Sequence, residues 1–573
     1  MKFDDILLTI GGFGRYQIWT YNLCCLFAFL TAFHLLVSVF LMGSSDHWCK
    51  IPEWDNVNCS EWGYNTSEEC QLAKRDVAIP YTVSDDTGDV IFEKCERYQL
   101  SAEDEFFPDL NLTGHDVVPC DAGWVYDKSV FQSTVVQDFN LVCGLSYVTS
   151  VSQSLYFLGF LLGSLVFGHI SDRFGRQLSL LSSLSTLCVS GTCLAFSPNI
   201  WVFTVLRFVV GAAIYGVLIS SFVMGTELVG PSKRYFTGIA MNFYWAVGAI
   251  ILAGIAYFIR NWRHLQLCVS LIPVAYFAIF PFLPESARWL IAKGRLKKAE
   301  KVLQKAAIMN KAKLPDPLFE ESEALKESSA TNEKEPTVLD LFRTPRLRMY
   351  TLNMAFIWIV STLVYYGISL ATESLGVNLY IAFFVSGAVE IPAYLSVLFG
   401  IELFGRRPII VSYMLIAGVA CLVSGFVPVG VARVTIAMIG KVGIAGSFAV
   451  VYLLPAEIFP TPIRSAGMGV CAMSSRVAGM ICPLILHLAE YWGPAPFFIF
   501  GVSSVVAGVL AFFLPETKGR RVPETIEEGE NFGKLLVETE KGADGVDLEE
   551  RAAGTKTGDF KYQKAQEDDD VRT

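Results

Sequence analysis

The sequence predicts an all-α membrane protein of twelve transmembrane helices in two pseudo-symmetric halves, and three observations predict this class. Hydrophobic residues make up 53% of the 573 residues and charged residues only 17%, a composition that excludes an ordinary soluble protein of this length. Apolar runs long enough to cross a bilayer recur along the chain. Short motifs of the first half return in the second half about 230 positions later.

The apolar runs fall into two sets of six with a polar stretch between them. Each run has roughly 18–25 residues, which matches the hydrocarbon thickness of a bilayer. A signal peptide is the alternative for the first run, but that run is too long, its flank GGFGRYQ is polar, and no small-residue cleavage site follows it. The predicted spans cover 16–42, 145–167, 178–196, 201–224, 236–259 and 266–283, then 349–371, 378–400, 409–428, 431–454, 465–488 and 495–514.

The repeated motifs keep one order and one spacing. The sequence FLPE occurs at 282–285 and again at 513–516. A glycine–arginine pair and a spaced acid–base pair recur in the same way, as Gly175 and Arg176 with Gly405 and Arg406, and as Glu227 and Arg234 with Glu457 and Arg464. Two parallel membrane halves around a midplane site are typical of secondary transporters, so the repeat favours transport.

The distribution of basic residues predicts the orientation. Lysine and arginine concentrate in the central polar segment and in the short loops on the same side, which the positive-inside rule places in the cytoplasm with both termini. We expect disorder from about residue 524, because the tail is polar and acidic and ends EDDDVRT. The predicted domains are a cytoplasmic N-terminus (1–15), a first half (16–284), a linker with amphipathic helices under the bundle (285–348), a second half (349–516) and a cytoplasmic acidic tail (517–573).

Residues 43–144 then form an extracellular loop between the first two membrane helices. The loop is acidic and holds six of the fourteen cysteines and three N-x-S/T sequons. Six cysteines in an oxidising space predict three disulfides in any of fifteen pairings. Glycosylation and disulfides favour the plasma membrane, although vesicular membranes share them, and the loop also offers a surface for homo-oligomers. The disulfide candidates are Cys49, Cys59, Cys70, Cys95, Cys120 and Cys143, and the glycosylation candidates are Asn58, Asn65 and Asn111.

Charged residues recur at the predicted cytoplasmic helix ends of both halves. Together they can form ion-pair clusters that hold the two halves closed on this side, and because isolated exposed pairs contribute little, such a gate must be a network. The alternative is that these charges only set the topology, but their matched positions favour the gate. The predicted gate residues are Asp172, Arg173, Arg176, Glu227, Arg234, Glu402, Arg406, Glu457 and Arg464.

Five stretches resemble one known family: GHISDRFGR, LPESARWL, LFRTPRLR, LPAEIFPTPIRSAGMG and LPETKGRRVPETIEEGENFGK. With the long cysteine-bearing loop, they are similar to the organic ion transporters of the solute carrier 22 family, in the major facilitator superfamily, and closest in pattern to the organic cation and carnitine transporters. The resemblance runs from about residue 10 to 535. It implies the fold of that superfamily, a ligand pocket between the halves, and alternating access for organic cations, zwitterions such as carnitine, or organic anions.

Ionisable residues inside membrane helices are energetically expensive and mark candidate functional positions. Apart from the predicted gate, these are His34, Arg207, Glu390, Lys441 and Arg476. Arg207 either snorkels towards the interface or serves the substrate, and His34 is either a pH sensor or a hydrogen-bonding group in the bundle. Apart from His34, three of these residues are basic and one is acidic, so a dry cavity would favour a ligand that brings an anionic group.

The resemblance assigns two of these residues. In the family, the glutamate that matches Glu390 faces the cavity and attracts a cationic group, and arginine at the position of Arg476 is typical of carriers of anions or zwitterions. A guanidinium suits a carboxylate because it can donate two parallel hydrogen bonds. We therefore expect a zwitterion of the carnitine or betaine type, with organic anions next. The alternatives are structural ion pairs, of Glu390 with a base of its own half or of Arg476 with Glu390.

Aromatic residues at helical spacing support a cationic end of the ligand. Trp358 and Tyr365 lie seven positions apart, Tyr366 adjoins them, and Tyr452 follows Phe448 by four. Such rings attract quaternary ammonium groups, and the alternative is ordinary helix packing. By the resemblance, three further residues match cavity-facing positions, namely His34, Asn242 and Trp245.

Motifs of several other classes are missing from the sequence. It contains neither G-x-x-x-x-G-K-[ST] nor H-E-x-x-H, so we expect no ATP-driven transport, no enzyme, no metal and no cofactor. The expected partners are a small organic ion and the lipid bilayer, without nucleic acid. Coupling to sodium or protons stays open, and the alternatives are a potential-driven organic cation uniporter, an organic anion exchanger and a membrane sensor that does not transport.

Overall fold

The computed structural model describes residues 3–57, 59–64, 66–83, 90–101, 104–108, 110, 112, 114–230, 233–314, 318 and 338–532, without the side chains of residues 234, 235, 373 and 374. The predicted glycosylation sites Asn58, Asn65 and Asn111 lie outside the described residues, as do residues 533–573 of the predicted tail. The described part is a bundle of long helices with a small domain of short strands between its first two helices. We call the end of the bundle that carries this domain the outer end, and the opposite end the inner end.

Eleven helices of the described part are long and apolar enough to cross a membrane. A further apolar helix at the position of the twelfth predicted span has only 17 residues, so the count of twelve spans remains a prediction. The bundle helices are α1 (Arg15–Leu36), α2 (Tyr147–Phe174), α3 (Arg176–Ala195), α4 (Ile200–Glu227), α5 (Arg234–Phe258), α6 (Trp262–Tyr276), α7 (Pro345–Leu370), α8 (Leu379–Phe404, interrupted at Val389), α9 (Arg406–Phe426), α10 (Val431–Val451), α11 (Arg464–His487) and α12 (Ala495–Ala511).

Two glycines make the sharp turns between successive helices at the inner end. Gly175 has φ 113° between α2 and α3, and Gly405 has φ 94° between α8 and α9. Residues with a Cβ rarely adopt such angles, and a Cβ at either position would also collide with a carboxylate, that of Glu285 or that of Glu516. The glycine of the repeated motif is therefore required for the same reason in both halves: the turn needs a positive φ and leaves no room for a Cβ.

The two halves pack in the same pattern. In the first half α2 packs against α4 and α3 against α6, and in the second half α8 packs against α10 and α9 against α12. The halves meet along two equivalent seams, α2 with α11 and α5 with α8. Each half has a large apolar core, and the core of the first half also takes in Tyr380 and Phe383 from α8. This arrangement is the pseudo-symmetry that the repeated motifs indicate.

The outer domain consists of antiparallel strand pairs and three disulfides. Its helix Ser67–Ala78 begins with a capping box of Thr66 and Glu69, in which each side chain bonds the backbone N–H of the other residue. The strands are β1 (His47–Cys49), which pairs with β6 (Trp124–Tyr126), β2 (Tyr81–Val83) with β3 (Val90–Phe92), and β4 (Glu96–Tyr98) with β5 (Val117–Pro119). Of the pairings that the sequence left open, the structure contains Cys49–Cys120, Cys59–Cys70 and Cys95–Cys143.

The predicted linker forms the helices Ala287–Ala292 and Leu296–Asn310 at the inner end of the first half. The amide nitrogen of Asn310 donates to the backbone carbonyl of Ile10 and to Oε1 of Gln17, both at 2.7 Å. One side chain therefore ties the linker to the N-terminal segment and to the start of α1.

The first part of the tail differs from the disorder predicted from about residue 524. The chain forms a short helix at Ile526–Asn531 under the second half. Its Glu530 carboxylate accepts hydrogen bonds from the backbone N–H groups of Arg346 and Leu347, both at 3.1 Å. Glu530 therefore caps the start of α7, because the first N–H groups of a helix have no partners within the helix.

Candidate functional site

Helix α8 is interrupted where the candidate site begins. Its first segment ends at Ala388 and its second begins at Glu390. Pro392 has no N–H to donate to the carbonyl of Ala388, and its ring clashes with that group, so the regular helix breaks here. The interruption places Glu390 in the first turn of the second segment, where the helix dipole favours a carboxylate, and leaves it 2% exposed.

Three side chains from three other helices and one from its own segment form a network around this carboxylate. Lys441 Nζ on α10 lies 3.1 Å from Glu390 Oε1. The hydroxyls of Tyr365 and Tyr394 donate to Oε1 and Oε2 at 2.7 and 2.9 Å. Trp245 on α5 donates from Nε1 to the hydroxyl oxygen of Tyr365 at 2.7 Å, which links the first half of the bundle to this network.

Lys441 is as deeply buried as its partner, at 1% exposure. Its ammonium group lies 3.5 Å from the ring centroid of Tyr365 and also donates to the hydroxyl of Ser369. Glu390 is thus paired with a base of its own half, which is one of the alternatives that the sequence left open. A ligand ammonium group at Glu390 would have to compete with Lys441.

Arg476 lies on α11 and reaches across to the first half. Its guanidinium donates to the hydroxyl of Tyr215 on α4 and to the carbonyl of Ala472 in its own helix. Its Cζ stands 4.4 Å from the ring centroid of Tyr215. Within the part of the chain that the structure describes, no carboxylate pairs with Arg476, and its Nε has no hydrogen-bond partner. A half-buried cation therefore lies between the halves with capacity for an anionic group.

The predicted aromatic residues form one cluster. The rings of Trp358 and Tyr452 meet edge to face at 4.4 Å, Phe448 lies 5.8 Å from Tyr452, and Tyr365 lies 5.4 Å from Phe448. Tyr366 stands edge to face with Tyr365 at 5.5 Å. Tyr452 is 43% exposed, so part of the cluster is accessible. Rings arranged in this way can attract a cationic group.

The remaining predicted site residues lie in the first half. Asn242 on α5 is half-buried and donates to the carbonyl of Gly238 in its own helix, at 3.4 Å. His34 and Arg207 are both 1% exposed and belong to a separate polar group with Gln153. Gln153 was not predicted, because a glutamine in a membrane helix carries no charge that would mark it in the sequence.

At the inner end of the first half, Arg176 organises a cluster of charges. Its guanidinium lies 3.1 Å from Glu227 Oε1 and 3.2 Å from Asp172 Oδ1. The Glu285 carboxylate accepts hydrogen bonds from the backbone N–H groups of Arg176 and Gln177, at 2.9 and 3.2 Å. Glu285 therefore caps the start of α3 while Arg176 bonds the end of α4.

The second half repeats this cluster. Arg406 lies 3.2 Å from Glu457 Oε1, and Glu516 accepts hydrogen bonds from the backbone N–H groups of Arg406 and Arg407, both at 3.0 Å. Thr517 also donates to Glu457. Arg464, predicted as a further member, instead donates to the carbonyl of Phe459 and the hydroxyl of Thr461, at 3.2 and 3.1 Å.

The ion pairs described at these positions lie within one half each. Arg173 and Glu402 are exposed at the inner end, and the side chain of Arg234 lies outside the described residues. Closure of the two halves through these residues stays a prediction. Glu285 and Glu516 were not predicted as part of these clusters, although both end the recurring sequence FLPE, which is the signal that could have identified them.

Comparisons with known proteins agree with this architecture. The family described as sugar (and other) transporter matches residues 99–528. An organic cation transporter protein of Drosophila melanogaster is 37% identical over 95% of this chain and 97% of its own length. Solute carrier family 22 member 3 of Rattus norvegicus is 36% identical over 93% of this chain and 96% of its own. A beta-alanine transporter of Drosophila melanogaster is 34% identical over 92% of this chain and 89% of its own length.

A solved structure shows the same fold at low sequence identity. The xylose transporter XylE from E. coli, in a partially occluded inward-open conformation, matches with a TM-score of 0.57 and 16% identity, covering 88% of this chain and 99% of that one. The relatives are transporters by name rather than enzymes, which confirms the predicted resemblance, and the solved structure agrees with the predicted all-α fold of the major facilitator superfamily. The chain belongs to the sugar (and other) transporter family of the major facilitator superfamily and, within it, to the solute carrier 22 transporters of organic cations and anions.

Proposed function

We propose that this transporter carries small organic zwitterions of the carnitine or betaine type across the plasma membrane by alternating access, with both termini in the cytoplasm. The carboxylate of the ligand binds Arg476, and its cationic end lies against the aromatic cluster around Trp358, Tyr452 and Phe448. A protein name among the relatives, beta-alanine transporter, also refers to a small zwitterion.

The observation that carries the proposal is the charge balance of the site. Glu390 and Lys441 neutralise each other at 3.1 Å, so the pair contributes no net charge. Arg476 remains as a half-buried cation with no paired carboxylate among the described residues. A buried cation without a counter-charge is unfavourable, and a ligand carboxylate would remove that cost on binding.

The rings supply the second half of the recognition. Trp358 and Tyr452 meet at 4.4 Å, and Tyr452 keeps 43% of its surface accessible. An ammonium group can use such faces without displacing Lys441 from Glu390. The same charge balance favours organic anions as the second candidate class, because an anion needs Arg476 but not the rings.

Competitive uptake in cells that express this chain tests the proposal. Labelled carnitine, beta-alanine, tetraethylammonium and an aromatic carboxylate are compared with and without sodium, with surface expression measured in parallel. We expect the zwitterions to be taken up best. Tetraethylammonium as the best substrate would contradict the proposal, and uptake of the aromatic carboxylate alone would favour the second candidate.

Variants of Arg476 test the carboxylate assignment. Arg476→Gln should lower zwitterion uptake by about 10- to 100-fold, the range of a charge-assisted hydrogen bond of about 1.5–3 kcal/mol. Arg433→Gln is the matched control. Arg433 is also an arginine of the second half, but it lies at the start of α10 against the ring of Phe497 and is not part of the proposed ligand site. Unchanged zwitterion uptake in Arg476→Gln would show that the carboxylate binds elsewhere.

A further inference from the structure

A second buried cation lies in the first half. Arg207 on α4 is 1% exposed, and its guanidinium donates to Gln153 Oε1 on α2 at 2.6 Å. Its Cζ lies 4.7 Å from the ring centroid of Tyr156 and 5.9 Å from that of Phe203. The Tyr156 hydroxyl donates to the backbone carbonyl of His34 on α1, at 3.2 Å. Helices α1, α2 and α4 therefore converge around one guanidinium.

This guanidinium has no counter-charge in the part of the chain that the structure describes. The described ion pairs that involve bundle helices of the first half lie at its two ends, at Arg176 on the inner side and Arg263 on the outer side. Ring faces attract a guanidinium but offset only part of the cost of removing its charge from water. A buried arginine in this position is stabilised most by an anion.

Buried N–H groups at Arg207 and its neighbour Gln153 also lack hydrogen-bond acceptors within the described part of the chain. Gln153 uses its carbonyl oxygen for Arg207, and its Nε2 amide has no hydrogen-bond partner among the described residues. Arg207 Nε lacks a partner as well. These two buried side chains therefore each have at least one donor to offer.

We propose that Arg207 and Gln153 form an anion site in the first half that binds a small monovalent anion of the size of chloride. The near-complete burial of Arg207 and Gln153, at 1% and 5% exposure, favours a monoatomic ion over an organic carboxylate. A water molecule would satisfy the donors but would leave the charge unbalanced. The site uses none of the residues that bind the ligand in the proposed function, and it does not depend on that proposal.

Thermal unfolding of the purified full-length chain in lipid nanodiscs tests this site. Chloride or bromide replaces gluconate at constant pH and ionic strength. A ligand that binds only the folded state raises its Tm, so we expect a saturable increase with either halide in the unmodified protein. Gln153→Glu should abolish this increase, because it places a carboxylate within reach of Arg207 and supplies the counter-charge covalently.

Two further variants define the outcome. Gln153→Leu removes the amide donors and should raise the half-saturating chloride concentration about 10-fold. Arg476→Gln should respond like the unmodified protein, which separates this site from the one proposed for the transported carboxylate. The proposal is overturned by a Tm that does not depend on halide, by an unchanged response in Gln153→Glu, or by a response that only Arg476→Gln removes.

Discussion

Removing Lys441 is the sharpest test of the charge balance in the candidate site. In Lys441→Met, Glu390 loses the ammonium group at 3.1 Å while both positions stay within a region where the native side chains are 1% and 2% exposed. Removal of one partner of a buried ion pair lowers the free energy of unfolding by about 3–5 kcal/mol. The hydroxyls of Tyr365 and Tyr394 remain as donors at 2.7 and 2.9 Å, so we expect the lower end, about 3 kcal/mol.

The assay is thermal unfolding of the purified protein. An unfolding entropy of about 2.1 cal/mol/K per residue converts about 3 kcal/mol into a Tm lowered by about 3 °C for a chain of this size. The double variant Glu390→Gln with Lys441→Met should recover most of this loss, because it removes both charges together. Lys297→Met, at an exposed position of the linker helix, is the control and should leave Tm nearly unchanged.

Selectivity gives a second readout of the same variant. With Lys441 gone, Glu390 is available to a ligand cation, so Lys441→Met should gain uptake of tetraethylammonium relative to carnitine. A single variant as stable as Lys297→Met, or a double variant no more stable than the single one, would refute the reasoning that the pair balances Glu390.

Three further predictions follow from other contacts. Tyr380→Ala should make cysteine labels introduced between the halves more accessible from the outer end, because Tyr380 packs 5.6 Å from Tyr257 and bonds the outer domain at 3.1 Å; unchanged labelling would contradict this. Glu285→Gln should lower the free energy of unfolding by about 1 kcal/mol, since a neutral amide caps α3 more weakly, and denaturant unfolding measures it. The hydrogen bond and charge of Lys94 keep the pKa of Asp46 below its ordinary 3.8, so their stabilisation is present above that pH and is lost as pH falls through the folded-state pKa. Hydrogen exchange in the outer domain should accordingly be faster at pH 3 than at pH 5, after correction for intrinsic rates.

The bundle could be predicted from the sequence because each membrane span is one continuous apolar run of the chain. Apolar runs report burial in lipid directly, and the spacing of repeated motifs reports the two halves. The ends of helices were harder to predict. For example, α2 continues to Phe174, past the predicted end at 167, since its last polar turn still forms helix down to Gly175. The end of α2 is therefore set by its C-cap glycine, Gly175, and not by the end of the apolar run.

Pairings between distant residues were not available from the sequence. Glu390 and Lys441 were both recognised as buried charges, but only packing shows that α8 and α10 bring them together. Two pairings of Glu390 were open from the sequence, one with a base of its own half and one with Arg476, and the structure contains the first. The six loop cysteines likewise left fifteen pairings open, and the fold of the outer domain selects among them.

The paired clusters at the inner end have a consequence for the transport cycle. Arg176 with Glu227, and Arg406 with Glu457, bond helices of the same half at nearly equal distances of 3.1 and 3.2 Å. If each half rotates as one rigid body, these bonds persist in every conformation and cancel from the free-energy difference between conformations. Substitutions there should reduce the amount of folded transporter, whereas the turnover rate of each surviving molecule should depend on contacts that form and break between the halves.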